Sequence, residues 1–270
     1  MARLGAPQAL GERSGILSVF SDNYVETFAS LRTVPEAIRL RYAFEALHVY
    51  SPGTTIRLCD VGAGIGLFAE SFVQVAERLQ LDLDLTLVEP SAPMRSHLVD
   101  RGVLLSSNIV PLTLEEFART APAQDLVFIS DVAHLLGCPN SWLPIVTRLL
   151  PPSAGRVLIR TGVKAQVARR NWYACFPRAR EIDVARHPSS QAIVAASLSA
   201  GLHCNSQAVD ESRWVRRSDF LALMEQRGFS SFRLLDDYEH RQGMDCLRRE
   251  TAASKMCWLE YEMTLFDLLR

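Results

Sequence analysis

The chain has 270 residues, 48% hydrophobic and 22% charged, with a formal net charge of −1. That length suits one α/β domain with additions, and the composition is that of a soluble globular protein. The near-zero charge excludes a global field favouring nucleic acid, and the longest uncharged apolar-rich run, 192–204, is too short and polar to cross a bilayer. Residues 1–15 are rich in Gly, Ala and Pro and lack the apolar stretch of a secretory leader, so a cytoplasmic protein is expected. Cysteines at 59, 138, 175, 204, 246 and 257 show no C-x-x-C or zinc spacing, and the histidines no H-x-H or H-E-x-x-H. Reduced thiols and no metal site follow as expectations.

From Ile16 to about His48 the pattern is helical, with Tyr24, Phe28 and Leu31, then Ile38, Tyr42 and Leu47. Pro35 suits the first turn of the second helix, and Pro52-Gly53 ends the segment. Ile56–Val61 reads as an apolar strand running into glycines at 62, 64 and 66, before a helix with apolar side chains at Phe68, Phe72, Val75 and Leu79. Asp84–Glu89 is a second strand ending in a carboxylate, and Ser91 caps a short helix. Asn108–Leu112 is a third strand, and Glu115–Phe117 opens the next helix.

Asp125–Asp131 is nearly all apolar, as a parallel strand buried on both faces requires, and Val132, Ala133 and His134 follow. Trp142, Ile145, Val146 and Leu149 mark a helix stopped by Pro151-Pro152, and Gly155–Thr161 is the fifth strand. Strand–helix alternation over 56–161 predicts a mostly parallel sheet. Between 162 and 190, Lys164, Arg169, Arg170, Arg178, Arg180 and Arg186 stand against Glu181 and Asp183, around the stretch Asn171–Pro177. This reads either as a solvated helical face with an aromatic hinge or as a cover over an anionic ligand. A helix at Gln191–Ala200 and a strand at His203–Val209 come next. Helical sequence around Phe220–Met224 and 237–252 precedes the last strand, Trp258–Leu268.

The glycine spacing points to a ligand class. The dinucleotide fingerprint is G-x-G-x-x-G. Here the order is Asp60-x-Gly62-x-Gly64-x-Gly66, with the last glycine one place early and an acid ahead of the first. It resembles motif I of the class I S-adenosylmethionine (SAM)-dependent methyltransferases. Glu89, 23 residues after Gly66, stands where a nucleotide-binding βαβ unit places the acid for the ribose hydroxyls. Glu89-Pro-Ser-Ala-Pro-Met94 is similar to the family's D-x-S-x-x-M. The motifs cover about 56–161; beyond that the likeness, to the ubiquinone/menaquinone methyltransferase-like branch, is architectural.

The resemblance implies a Rossmann-like, doubly wound, seven-stranded sheet with an antiparallel last strand. It implies an N-terminal helical cap (1–50) and a SAM-binding domain (51–270), with a lid insertion at about 162–200 and a helical insertion at about 213–252. The implied activity is O-, N- or C-methylation of a small molecule in a biosynthetic pathway. The alternative is a SAM-fold protein that catalyses another reaction, such as a cyclisation, or serves as a non-catalytic partner. A nicotinamide enzyme is disfavoured by the glycine spacing, and a nucleic-acid methyltransferase by the charge and the missing N/D-P-P-Y/F motif.

Site residues follow from the same resemblance. Gly62, Ala63, Gly64 and Gly66 lie against the methionine and ribose of SAM, Asp60 helps orient its amino group, and Glu89 takes the ribose. Pro90 and Met94 pack on adenine. Thr113 and Leu114 fall where the family places an acid and a small residue beside the adenine amine, so Thr113 is a departure. Asp131 closes the fourth strand on the cofactor side. His134, titrating near neutrality, is the candidate base. Tyr24 from the cap, and Arg160, Trp172 and Tyr173, are expected on the acceptor side, where aromatic faces suit a sulfonium.

Overall fold

The computed structural model describes Val25, Glu26, Ala29 and residues 34–100 and 107–270. Tyr24 lies outside the described residues. Helix α1 (Glu36–Leu47) precedes an alternation of β1 (Thr55–Val61), α2 (Leu67–Arg78), β2 (Asp82–Val88), α3 (Ala92–Asp100), β3 (Asn108–Val110), α4 (Leu114–Thr120) and β4 (Leu126–Ser130). Then come α5 (Ala133–Leu136), α6 (Pro139–Leu149), β5 (Arg156–Thr161), α7 (Lys164–Val167), a 3-10 turn at Asn171–Ala174, α8 (Pro177–Arg186) and α9 (Ser190–Ser199). The chain closes with β6 (His203–Asp210), β7 (Arg213–Arg216), α10 (Arg217–Glu225), α11 (Asp237–Glu250), β8 (Met256–Leu259) and β9 (Glu262–Leu269).

Seven strands form one sheet in the order β3-β2-β1-β4-β5-β9-β6. All pairings are parallel except those of β9, which runs antiparallel to both β5 and β6. This is the doubly wound fold with an antiparallel last strand that the motif implies. The centre is β4, whose Leu126, Val127, Phe128 and Ile129 are all fully buried. Phe128 faces Phe68 and Phe72 of α2, while Val127 and Ile129 face Trp142, Leu143 and Val146 of α6. The two apolar faces of one strand therefore hold a helix layer on each side. The edge strand β6 is largely exposed and carries His203, Asn205, Ser206 and Gln207, a polar edge that discourages further pairing.

Helix α1 is tied to the sheet by Arg156. Its guanidinium grips Asp267 with two nitrogens and donates to the Glu45 and Ala46 carbonyls, unsatisfied at the end of α1.

Two expectations are corrected. The stretch read as one strand, Trp258–Leu268, is two. Met256–Leu259 alternates exposed and buried and pairs with Arg213–Arg216 in a separate two-stranded ribbon; only from Glu262 does the chain join the main sheet, with Met263–Phe266 buried in an unbroken run. Helix α9 packs Ile193 and Ala196 into the core beside α6. The stretch 162–190 shares one apolar cluster with the chain from 213 onward: Trp172, Tyr173 and Phe176 meet Leu223, Met224, Phe229, Phe232, Met244 and Leu259. Finally, the thiols are not all reduced. That cluster brings the 3-10 turn against α11, and Cys175 is bonded to Cys246, while Cys59, Cys138, Cys204 and Cys257 are free. Among the described residues no helix is long and apolar enough to cross a membrane.

Candidate active site

The turn after β1 is held by backbone. The N–H groups of Gly62 and Ala63 donate to the Val88 carbonyl at 2.7 and 3.3 Å, and that of Gly66 to Ala63 O at 3.0 Å. Gly62, Gly64 and Gly66 all have positive φ, at 70°, 58° and 76°. At Gly62 the constraint is double, since a Cβ would meet Val132 Cγ1 at 2.8 Å. Gly66 then serves as the left-handed N-cap of α2. Glu89, at the end of β2, locks the turn: one carboxylate oxygen accepts Gly64 N–H and the other Ser91 N–H, each at 2.8 Å. Burial raises the Glu89 carboxyl above its usual range, against these two bonds. Asp60 is raised further, to about 7, by burial first and the Glu89 charge second.

A cavity of about 270 Å³ opens over this turn and runs along the carboxyl ends of β1, β2, β4 and β5. The end over the turn is walled by Asp60, Gly62, Ala63, Gly64, Glu89, Pro90, Met94, Thr113 and Leu114, nine of the residues expected to hold a cofactor. Gly66 supports the turn from behind and is outside the wall. Thr113 is the N-cap of α4 in a reciprocal capping box with Glu116, which explains a threonine where the family pattern has an acid. Glu115, one residue past Leu114, reaches the wall and was not singled out by its position in the sequence.

The other half is assembled from distant segments. His134 of the β4 end and Arg160 of β5 line it, together with Asp131, which was expected on the cofactor side, and with Glu211, Arg213, Leu223, Phe229, Ser230, Leu259 and Tyr261. Asp131 takes φ 55°, a left-handed backbone that Asp tolerates better than most residues, and its carboxylate accepts the Tyr261 hydroxyl at 3.1 Å. Arg160, 1% exposed, forms a two-pronged ion pair with Glu211, which also accepts the Tyr42 hydroxyl at 2.7 Å. Its guanidinium lies over the rings of Tyr42 and Phe68. Arg160 is thus neutralised within the protein and holds the cavity floor.

His134 is 8% exposed. Burial, and then the neighbouring His187, hold its imidazole well below the usual histidine pKa, so the ring is neutral at neutral pH. Trp172 and Tyr173 do not reach the cavity. Trp172 stacks on Phe229 and Tyr261, which do, and the Tyr173 hydroxyl donates to Asp183. Nor do the six basic residues between 162 and 190 line it. Arg169, Arg178 and Arg186 pair with Glu262, Glu181 and Asp183, and Arg170 is buried against the rings of Tyr261 and Trp172. The expectation of an anionic ligand built on them loses its basis, because none of the six lines the cavity and three of them are held by carboxylates. Glu211, Tyr261 and His187 carried no local signal; they follow no motif and meet only in the fold.

No protein-family model matches the chain, and no curated protein matches it. Solved structures do. A putative methyltransferase from an antibiotic biosynthesis pathway of Anabaena variabilis superposes with a TM-score of 0.66 at 16% identity, over 88% of this chain and 99% of that one. The mycolic acid cyclopropane synthase CmaA1, complexed with SAH (S-adenosylhomocysteine) and CTAB, gives 0.57 at 14%, over 98% and 99%. The [4+2]-cyclase SpnF gives 0.51 at 15%, over 87% and 80%. The fold is accordingly that of the class I SAM-dependent methyltransferases.

Proposed function

We propose that the chain is a SAM-dependent methyltransferase acting on a small, largely apolar molecule. The observation that carries this reading is the continuity of the cavity, which runs from the glycine turn and Glu89 to His134 and Tyr261. The cradle fits the cofactor: at Gly62 the left-handed backbone and the contact with Val132 leave no room for a side chain, and a buried carboxylate stands at the end of β2. Gly62, Ala63 and Gly64 would hold the methionine and ribose part, Glu89 the ribose hydroxyls, and Pro90 and Met94 the adenine. The fold also fits, since the cyclopropane synthase of the same fold carries SAH.

SAM would supply an activated methyl there: an acceptor O, N or C would bond to the methyl carbon as its bond to sulfur breaks, with SAH as the leaving group. The residues here need to align the acceptor and take its proton. Leu223, Phe229 and Leu259 exclude water from the acceptor half, and alignment of this kind is worth about 7–11 kcal/mol of barrier. Neutral His134 takes the acceptor's proton, with Asp131 nearby favouring the imidazolium.

Calorimetry with SAM and SAH tests the cofactor, and absence of binding to either overturns the reading. His134→Ala should leave SAH affinity intact and lower turnover by about 10²–10⁴-fold. A protein that binds SAM but yields no SAH with any candidate acceptor would favour a cyclisation or a non-catalytic role, as the likeness to SpnF allows.

A further inference from the structure

His134 lines the cavity, yet its Nδ1 is buried without a hydrogen-bond partner. Its recorded ring contact is a face-to-face stack on His187, with centroids 4.5 Å apart and planes 11° apart. His187 comes from the loop after α8, more than fifty residues along the chain. It is 4% exposed, and its Nδ1 lies 2.8 Å from the Asp183 carbonyl, which accepts its proton and fixes the tautomer. The Asp183 carboxylate is itself fixed, accepting from Tyr173, Arg186 and Ser231.

We infer that His187 is the positioning residue of His134: its ring fixes the His134 imidazole at the acceptor end, and the stacked pair takes up at most one proton beyond its neutral form. The inference rests on reading His134 as the base. A second use of the same residues is less well supported by their geometry. Asp131, His134 and His187 each offer one atom within 4.8 Å of the others, a set able to hold a metal ion. Two nearly parallel rings, however, send their in-plane lone pairs side by side instead of onto one point. The guanidiniums of Arg186 and Arg170 also act on these imidazoles and oppose added positive charge. The charged groups around the pair are Asp131 at the end of β4, Asp183 and Arg186 on α8, and Arg170 after α7. The two carboxylates favour added proton on the pair, and the two guanidiniums oppose it.

The test is an imidazole titration by ¹⁵N NMR on the full chain with SAH, which needs no acceptor. In the wild type, the His134 and His187 signals should respond to each other's midpoints, as coupled sites do. His187→Phe, which keeps an aromatic face but cannot bind a proton, should move the His134 midpoint up by about one pH unit with SAH affinity unchanged. An unmoved midpoint overturns the inference. If the variant fails to fold, the wild-type curves decide alone: two independent single-step titrations overturn it. Added Co²⁺ should give no visible ligand-field band; a band abolished by His187→Phe would make the three residues metal ligands and overturn it as well. Failure to bind SAH would count against the methyltransferase reading, while coupled titration curves would still support the pairing.

Discussion

The two halves of the cavity are built in different ways. The half proposed for the cofactor comes mostly from one stretch, Asp60 to Met94, and its contacts are largely backbone: positive φ at three glycines, N–H groups on Val88 O, and a carboxylate closing the turn. The acceptor half joins the ends of β4 and β5 to Glu211, Phe229 and Tyr261, and side chains hold it together. A backbone-built site tolerates few sequences, because only certain residues adopt its dihedrals. A side-chain-built site depends on partners that the fold alone brings together.

The sharpest way to break that contrast is at the acceptor floor. Glu211→Ala leaves the Arg160 charge buried without its partner, a change worth about 3–5 kcal/mol of folding stability. Denaturant unfolding should show this loss. A loss below about 1 kcal/mol would mean that the pair is solvated and that the acceptor half is held some other way.

The lid offers the next largest effect. Cys175 and Cys246 are 71 residues apart in sequence, and closing a loop of that size constrains the unfolded chain. Cys246→Ser should cost about 2–4 kcal/mol. Its effect should fall on the shared cluster of Phe176, Phe232 and Met244, so amide exchange should quicken in α11 and stay unchanged in β1. Uniform quickening would show that the lid and sheet unfold as one unit.

The same contrast explains what could be read from the chain in advance. The strands from Ile56 to Thr161, the glycine turn and Glu89 were legible, because local spacing encodes them. So was His134, since it follows a strand end directly. Trp172 and Tyr173 were placed at the acceptor by composition, but they face the lid's own core. Their neighbours Phe229 and Tyr261, about 60 and 90 residues further on, take the wall. Glu211 lies just past an edge strand and reads locally as a solvent-facing acid; only the fold sets it against Arg160. The break between β8 and β9 was hidden because Trp258–Leu268 is apolar enough to read as one strand.

At the cofactor end, Glu89→Ala removes the acceptor for Gly64 N–H and Ser91 N–H as well as the proposed ribose contact. Hydrogen bonds to a charged group contribute about 1.5–3 kcal/mol, so SAH affinity should fall by roughly ten- to a hundredfold. Calorimetry showing unchanged affinity would detach Glu89 from the cofactor and leave it as a brace for the turn.

The last effect is a pH slope rather than a loss at one pH; it concerns Asp60 and probes the turn end of the cavity without any ligand. Burial first, then the Glu89 charge, raises its carboxyl from an ordinary 3.8 to about 7 in the folded chain. Between those values the folded protein keeps a proton that the unfolded chain has released. Its stabilising contribution is therefore complete below the unfolded pKa and is lost as pH rises toward 7. One such proton gives a slope of at most about 1.4 kcal/mol per pH unit. Asp60→Asn cannot ionise, so denaturation midpoints between about pH 5 and 7 should depend less on pH in the variant. Saturating SAH should flatten the wild-type slope too, if its ammonium faces Asp60 and favours the carboxylate. Identical slopes in wild type and variant would mean that Asp60 is already ionised in the folded chain. The amino end of the cofactor would then meet a permanent charge there, and the pH dependence of the cofactor half would have to come from Glu89.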